Sequence, residues 1–213
     1  NAYSAGQRSI IGFAGIFAGL PLLNGLPMFG YGLEQATITP IAKHFRDIGY
    51  YTMFAQTSPR DSYRLCSLSA LLGAEESYGE EDLPHYLNYQ GKPEFGYDYD
   101  LLMFTADKIK NRTKDNFFVM LFTGTTHDPF AKTTDDFEIY KDNSWNSQYK
   151  NALAFADYSI GKLIERAKQE NWFDDTIFIF MAVCGGFSSC NDDDHGYNGN
   201  VSTGDFIDLW MRV

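Results

Sequence analysis

The sequence predicts an α/β fold with a mostly parallel sheet sandwiched by helices. Two observations carry that prediction: short runs that are apolar on both faces, as in buried parallel strands, and amphipathic helical stretches alternating with them. A third, the lack of internal repeats or low-complexity linkers, argues for one domain over residues 1–213. At 213 residues, 44% hydrophobic and 16% aromatic, the chain is long enough for one well-buried core and too aromatic for a disordered segment.

The longest apolar stretch, Ile10 to Leu26, is interrupted by Gly12, Gly15, Gly19, Pro21, Asn24 and Gly25. It falls short of a clean membrane span and reads as a buried helix and loop. Thr39 to Ile48 then places Ile41, Phe45 and Ile48 at helical spacing, with Gly49 where a left-handed cap belongs. The aromatic-rich Tyr50 to Ala55 reads as a strand, and Ser58-Pro59 as the start of a helix running through Leu72. Tyr99 to Lys110 is expected as a helix and Phe117 to Thr123 as a continuous apolar strand. Gln148 to Gln169 is expected as a long helix with a stripe of Tyr149, Leu153, Ala156, Ile160, Leu163 and Ala167. Thr176 to Ala182, TIFIFMA, reads as another buried strand, and Phe206 to Met211 is the only trace of a further one.

A formal charge of −11 without a Lys/Arg block opposes nucleic acid and anionic membrane surfaces as partners. Cys66, Cys184 and Cys190 are too few, and of the wrong parity, for a disulfide framework. No signal peptide opens the chain, and a first residue of Asn1 leads us to expect a fragment without its targeting segment.

In open α/β sheets, chemistry gathers in loops beyond the carboxyl ends of the strands. The segments to weigh are Gly124 to Phe130, Val183 to Gly196, and the residues around Ser9. Ser9 stands before a probable helix, where free backbone N–H groups and the positive dipole end suit a phosphate or sulfate. Composition alone favours the simpler reading, in which Ser4 or Ser9 caps the helix. His127 follows a buried strand and precedes Asp128-Pro129, which ends the strand and fixes a turn. Asp98 and Asp100, in FGYDYDLL, are candidates to cap the next helix.

AGQRSI followed by AGLP, then FGYDYDLL, LFTGTTHDPF and QYKNALAFADYSIGKLI, resemble segments of lipoteichoic-acid-synthase-like phosphotransferases of the alkaline phosphatase and sulfatase superfamily. The resemblance extends nearly to Ala182. It implies an alkaline phosphatase/sulfatase-like domain, incomplete at both ends. Ser9 takes the position of the family's phosphorylated Thr or Ser, and His127 that of the His contacting the substrate phosphate or assisting the leaving group. Arg8 and Asp98 enter as substrate-binding candidates. A competing alignment, with Ser4 and Arg8 on the sulfatase signature, is rejected because Gly6 stands where Pro is required. Counted from Ser9, Phe13 takes the sulfatase Arg position, which disfavours a sulfatase.

A serine hydroxyl needs a base or metal to act as a nucleophile at neutral pH. The resemblance implies a divalent ion (Mn, Zn or Mg) held by an Asp-His-Gly directly after the strand matching TIFIFMA. Here that strand runs into Val183-Cys184-Gly185. Cys184 can serve zinc as a thiolate, but one ligand makes no site. A literal Asp-His-Gly recurs at Asp194-His195-Gly196, within an acidic run that otherwise reads as a solvated loop. Ser9, Cys184, Asp194 and His195 are therefore the metal-ligand candidates. Three explanations stay open: loss of the metal, relocation of its ligands to Asp194 and His195, or an error in the segment after Ala182.

By resemblance, the expected activity is transfer of a phosphoglycerol or phosphoethanolamine group from a lipid-derived, phosphate-containing substrate through phospho-Ser9. A metal-free binding module and a phosphatase- or sulfatase-like hydrolase are the alternatives. The resemblance also implies a membrane-anchored protein on the extracytoplasmic face of a bacterial cytoplasmic membrane.

Overall fold

The computed structural model describes residues 9–20, 29–182 and 206–212. Five strands, β1 (Tyr51–Gln56), β2 (Glu76–Tyr78), β3 (Phe117–Phe122), β4 (Thr176–Ala182) and β5 (Phe206–Arg212), make one sheet in the order β2-β1-β3-β5-β4. β2, β1 and β3 are mutually parallel, while β5 is antiparallel to β3 and β4. β4 thus runs in the same sense as the first three, and the sheet is mostly parallel, as predicted.

Five helices cover it: α1 (Ser9–Ala18), α2 (Ile41–Asp47), α3 (Leu65–Leu71), α4 (Asp98–Lys110) and α5 (Trp145–Gln169). Alternation of side chains along a strand assigns the two faces. Phe54, Phe118, Met120 and Phe122 pack with residues of α1, α2 and α3, including Phe13, Phe17, Ala42 and Leu68. Tyr51, Met53, Ala55, Phe117, Val119 and Leu121 pack with residues of α4 and α5, including Leu102, Ala106, Ile109 and Leu163. Each fully buried Phe or Leu contributes about 1.5–3 kcal/mol by leaving water. β1 and β3, in register from Tyr51 opposite Phe117 to Gln56 opposite Phe122, are buried along their whole length.

On α1, Phe13 and Phe17 stack at 3.9 Å and both meet Phe54 edge-on. The helix ends at Gly19, whose φ of +65° is left-handed. Its burial agrees with the sequence reading up to residue 20; residues 21–28 lie outside those described.

Several elements differ from expectation. Of the stripe on α2, only Phe45 packs, stacking on Phe118 at 4.5 Å, while Ile41 and Ile48 are exposed. The helix predicted from Ser58 begins at Leu65, after a 3-10 turn at Ser62–Arg64 in which Tyr63 and Arg64 are left-handed. On α5 the stripe holds except at Leu153, which is exposed; Ala152 and Phe155 are buried instead. β4, predicted as buried on both faces, has Ile177, Ile179 and Phe180 more than 40% exposed. The reason is topological: β5 lies between it and β3, leaving β4 at the sheet edge.

Candidate active site

β1 and β3 end side by side, and the chain leaves both at the same edge of the sheet. The first residue beyond β1, Thr57, donates its backbone N–H to the Phe122 carbonyl at 3.1 Å, which prolongs the pairing past Gln56. Beyond β3, Gly124 packs so closely that a Cβ would lie 2.6 Å from both the Phe95 carbonyl and the Thr57 hydroxyl. At Gly96, φ +69°, a Cβ would lie 2.1 Å from the Thr57 carbonyl. Two glycines, each with no room for a side chain, thus bring the 57, 95–96 and 124 backbones together.

Asp98 completes this junction. It opens α4 and is only 2% exposed. Its Oδ1 accepts the backbone N–H groups of Gly124 and Thr125, both at 3.0 Å, and its own N–H donates to the Thr125 hydroxyl at 2.8 Å. A buried carboxylate becomes tolerable only with such donors. The expectation that Asp98 and Asp100 cap α4 is not met, since the N-cap is Tyr97 and has no side-chain cap. Asp98 instead holds the loop after β3. Asp100 accepts from His85 Nδ1 at 2.9 Å, from the Tyr86 N–H at 3.0 Å and from the Tyr89 hydroxyl at 2.6 Å, which secures segment 85–89.

His127 emerges from this clamped loop half-buried. Its N–H donates to the Gly124 carbonyl at 2.9 Å, its ring centroid lies 4.0 Å from that of Phe95, and Nδ1 is 2.6 Å from the Asp128 carbonyl oxygen. Contact with that carbonyl makes Nδ1 the protonated nitrogen, leaving Nε2 to act on a ligand. The Asp128 carboxylate in turn accepts from Trp145 Nε1 at 3.0 Å, tying the turn to the start of α5. Asp98 and His127 are therefore brought into one structural unit.

Ser9 begins α1 and is partly buried. Arg8, Cys184, Asp194 and His195 lie outside the described residues. Among the described residues there is no group of three or more His, Cys, Asp or Glu able to hold a metal ion. Three of the four metal-ligand candidates lie outside the described residues, and no step below is routed through a metal.

Two features of this edge escaped the sequence reading. Gln56, fully buried at the end of β1, donates through Nε2 to the Pro59 carbonyl at 2.6 Å, but its Oε1 has no partner among the described residues. Tyr63 and Arg64, at φ 50° and 57°, are consecutive left-handed non-glycine residues, and Tyr63 is 67% exposed. Such conformations each cost on the order of 1–3 kcal/mol and cluster where a site demands them. Neither an orphaned carbonyl nor a left-handed Tyr-Arg pair has a sequence signature.

The sheet, clothed on both faces and carrying a histidine loop beyond β3, has an alkaline phosphatase-like fold by its likeness to solved structures. The chain belongs to the sulfatase family, whose model matches residues 1–182. Its fold is similar to that of a protein in the alkaline phosphatase superfamily from Vibrio parahaemolyticus, with a TM-score of 0.68 at 20% identity over 98% of this chain. It is likewise similar to the lipoteichoic acid synthase LtaP from Listeria monocytogenes, with a TM-score of 0.66 at 13% identity over 99% of this chain. The chain spans 49% and 55% of those two chains respectively, about half of each. At these identities the likeness is one of fold.

Proposed function

We propose that the chain is part of a metal-dependent transferase domain that moves a phosphoglycerol- or phosphoethanolamine-type group from a lipid donor to an alcohol through phospho-Ser9. The observation that carries this reading is that the sulfatase family match spans both Ser9 and His127. In the first step Ser9 Oγ attacks the donor phosphorus. The Oγ–P bond forms, the bond to the lipid oxygen breaks, and the serine proton passes to solvent. His127, oriented by Asp128 and Phe95, relays through Nε2 a proton from solvent to the departing lipid alkoxide. In the second step an acceptor hydroxyl attacks the same phosphorus: the acceptor O–P bond forms, the Oγ–P bond breaks, the acceptor proton passes to solvent, and Ser9 Oγ takes up a proton from solvent. The positive dipole end at the start of α1 favours the phosphate's negative charge. A divalent ion, when bound, would lower the pKa of the Ser9 hydroxyl.

Incubation of the full-length protein with head-group-labelled phosphatidylglycerol and Mn²⁺ tests the mechanism. Label is expected on Ser9 and absent from Ser9→Ala; a wild-type protein that never acquires label sinks it. The reading also places the full-length protein at the extracytoplasmic face of a bacterial cytoplasmic membrane, anchored by a segment other than those described. Among the described residues no helix is long and apolar enough to cross a membrane. Recovery in the soluble cytosolic fraction contradicts that placement.

A second reading is favoured by Val183-Cys184-Gly185 standing where Asp-His-Gly is expected. It is a binding module of the same fold without catalysis. Elemental analysis of the purified protein separates the two: stoichiometric Mn or Zn supports the transferase, and its lack supports the module.

A further inference from the structure

His127 is held from two directions. Upstream, the Asp98 carboxylate binds the Gly124 and Thr125 N–H groups. Downstream, the turn is fastened to the start of α5, where Trp145 Nε1 donates to Asp128 Oδ1 at 3.0 Å across 17 positions of sequence. Buried Phe130 meets the Trp145 ring edge-on at 4.9 Å and the Tyr149 ring at 5.5 Å, and Trp145 stacks on Tyr149 at 5.4 Å. Trp145 is itself a fixed point, the first residue of α5. Asp142 accepts from the Ser144 N–H at 3.0 Å and from the Ser147 hydroxyl at 2.8 Å, and the Ser144 side chain caps the helix through the Ser147 N–H. One turn further on, the Asn151 side chain pairs with the Tyr140 backbone through two bonds of 3.0 Å.

Asp128 is exposed, so its bond to Trp145 adds little to stability, because water would serve the carboxylate nearly as well. What the bond fixes is direction. The Asp128 carbonyl oxygen lies 2.6 Å from His127 Nδ1, and the Phe95 ring, 4.0 Å away between centroids, limits the tilt of the imidazole. In a neutral imidazole, the hydrogen bond made by one nitrogen decides which of the two carries the proton. The peptide bearing this carbonyl, Asp128-Pro129, is held at one end by the Trp145 bond and at the other by Phe130, and both anchors sit on α5. A carbonyl released from Trp145 is free to turn toward solvent, and the imidazole proton is then free to move to Nε2.

We propose that Trp145 and Asp128 are positioning residues that set the tautomer of His127. Trp145 holds the Asp128 side chain, the Asp128 carbonyl keeps a proton on Nδ1, and Nε2 is left with its lone pair. The catalytic consequence rests on the transferase reading: Nε2 takes a proton from solvent and passes it to the lipid alkoxide, while Nδ1 keeps its own proton throughout. An Nε2 already bearing the proton of a neutral ring cannot take up another while Nδ1 lacks a partner to balance it.

The test follows the full-length protein, isotopically labelled in its histidine rings, by proton–nitrogen correlation at about pH 8, above the ordinary histidine value of about 6.5. His127→Gln identifies the His127 signals. Wild type is expected to show the Nδ1–H form. Trp145→Phe keeps a ring against Phe130 and Tyr149 but lacks the donor, and should shift His127 toward Nε2–H. Asp128→Ala, a change at an exposed residue, should do the same, and combining the two should shift it no further, since both remove one bond. Asp128→Asn retains an acceptor oxygen and should restore most of the Nδ1–H form. Ser9 labelling by head-group-labelled phosphatidylglycerol should slow about tenfold or more in Trp145→Phe with half-saturation unchanged, because general acid help is worth about 10²–10⁴-fold. A wild-type ring in the Nε2–H form, or a tautomer indifferent to Trp145→Phe and Asp128→Ala, overturns the proposal, even if labelling slows. A tautomer that follows Trp145 in a protein that never labels Ser9 upholds the positioning and sinks the transferase reading. Label on Ser9 with a tautomer that ignores Trp145 does the reverse.

Discussion

Asp98 and Thr125 bind each other twice: the Asp98 carboxylate accepts from the Thr125 backbone N–H at 3.0 Å, and the Thr125 hydroxyl accepts from the Asp98 backbone N–H at 2.8 Å. Both residues are buried, so neither partner can be replaced by water without rearrangement. Through this pair the start of α4 fixes the loop that carries His127.

Removing the carboxylate should therefore be costly. Asp98→Ala leaves the Gly124 and Thr125 N–H groups unsatisfied and is expected to destabilise the protein by about 2–6 kcal/mol, from about 1–3 kcal/mol per buried orphan. Asp98→Asn keeps one acceptor oxygen and should cost clearly less. Thr125→Val removes a different hydrogen bond, the one its hydroxyl accepts from the Asp98 backbone N–H, and is expected to destabilise on its own, with the double variant costing no less than either single one. Urea unfolding measures wild type and the variants; a Thr125→Val protein as stable as wild type would falsify the reciprocal pairing.

Glycine substitutions separate steric need from mere tolerance. Gly96→Ala forces a Cβ to 2.1 Å from the Thr57 carbonyl in a left-handed backbone, with backbone rather than a flexible side chain in the way. A loss of about 2–4 kcal/mol is expected, together with displacement of the His127 loop. Gly161, by contrast, lies exposed within α5 with nothing within 4 Å of its Cβ position. Gly161→Ala should stabilise by about 0.5–1 kcal/mol. Thermal unfolding of both variants checks the opposite signs.

The legible part of this fold was its interior. TMFA and FFVMLF, apolar at successive positions, located β1 and β3 to within a residue because only strands buried on both faces read that way. α5 starts earlier than its apolar stripe because Ser144 accepts from the Ser147 N–H at 3.3 Å, a cap that periodicity does not register. β2 has three half-buried residues and no alternation to read. TIFIFMA resembles β3 in composition, yet β4 lies at the edge because β5, the strand that follows it, lies between it and β3. At the candidate site, the position of His127 beyond β3 was legible from the strand end and the Asp-Pro turn. The clamp by Asp98 was not, since it joins residues 26 and 27 positions apart.

Cys66 should be unreactive in the folded protein. Its side chain is buried, and burial pushes the thiol up to about 11, so the thiolate is scarce at neutral pH. Its Sγ also lies 3.3 Å from the Tyr78 carbonyl, as a donor. Iodoacetamide at pH 8 followed by peptide mapping should show Cys66 unmodified in native protein and fully modified in urea. Rapid native labelling at this position would contradict the packing of α3 against β2.

Arg166 links α5 to α4: its Nη2 meets Asp107 Oδ1 at 2.5 Å and its Nη1 donates to the Met103 carbonyl at 3.3 Å. Burial works against ionisation of Asp107, but the Tyr86 hydroxyl, at 2.6 Å, and the Arg166 guanidinium outweigh it and hold the carboxyl below its usual range. With the folded value below the unfolded one, the ionised carboxylate favours the folded state. That contribution is complete above the ordinary Asp value of about 4 and is lost as pH falls through the lowered folded value. The Asp107 side chain is 43% exposed, so solvent screening keeps the pair to about 1 kcal/mol or less. Asp107→Asn should accordingly be less stable than wild type at pH 7 by about that amount. The gap should narrow below about pH 4 and also in about 1 M NaCl, where the Debye length is about 3 Å. Urea unfolding of both proteins at pH 7 and pH 3 provides the comparison. A gap of the same size at both pH values would mean that Asp107 acts through shape and neutral hydrogen bonding, not through its charge.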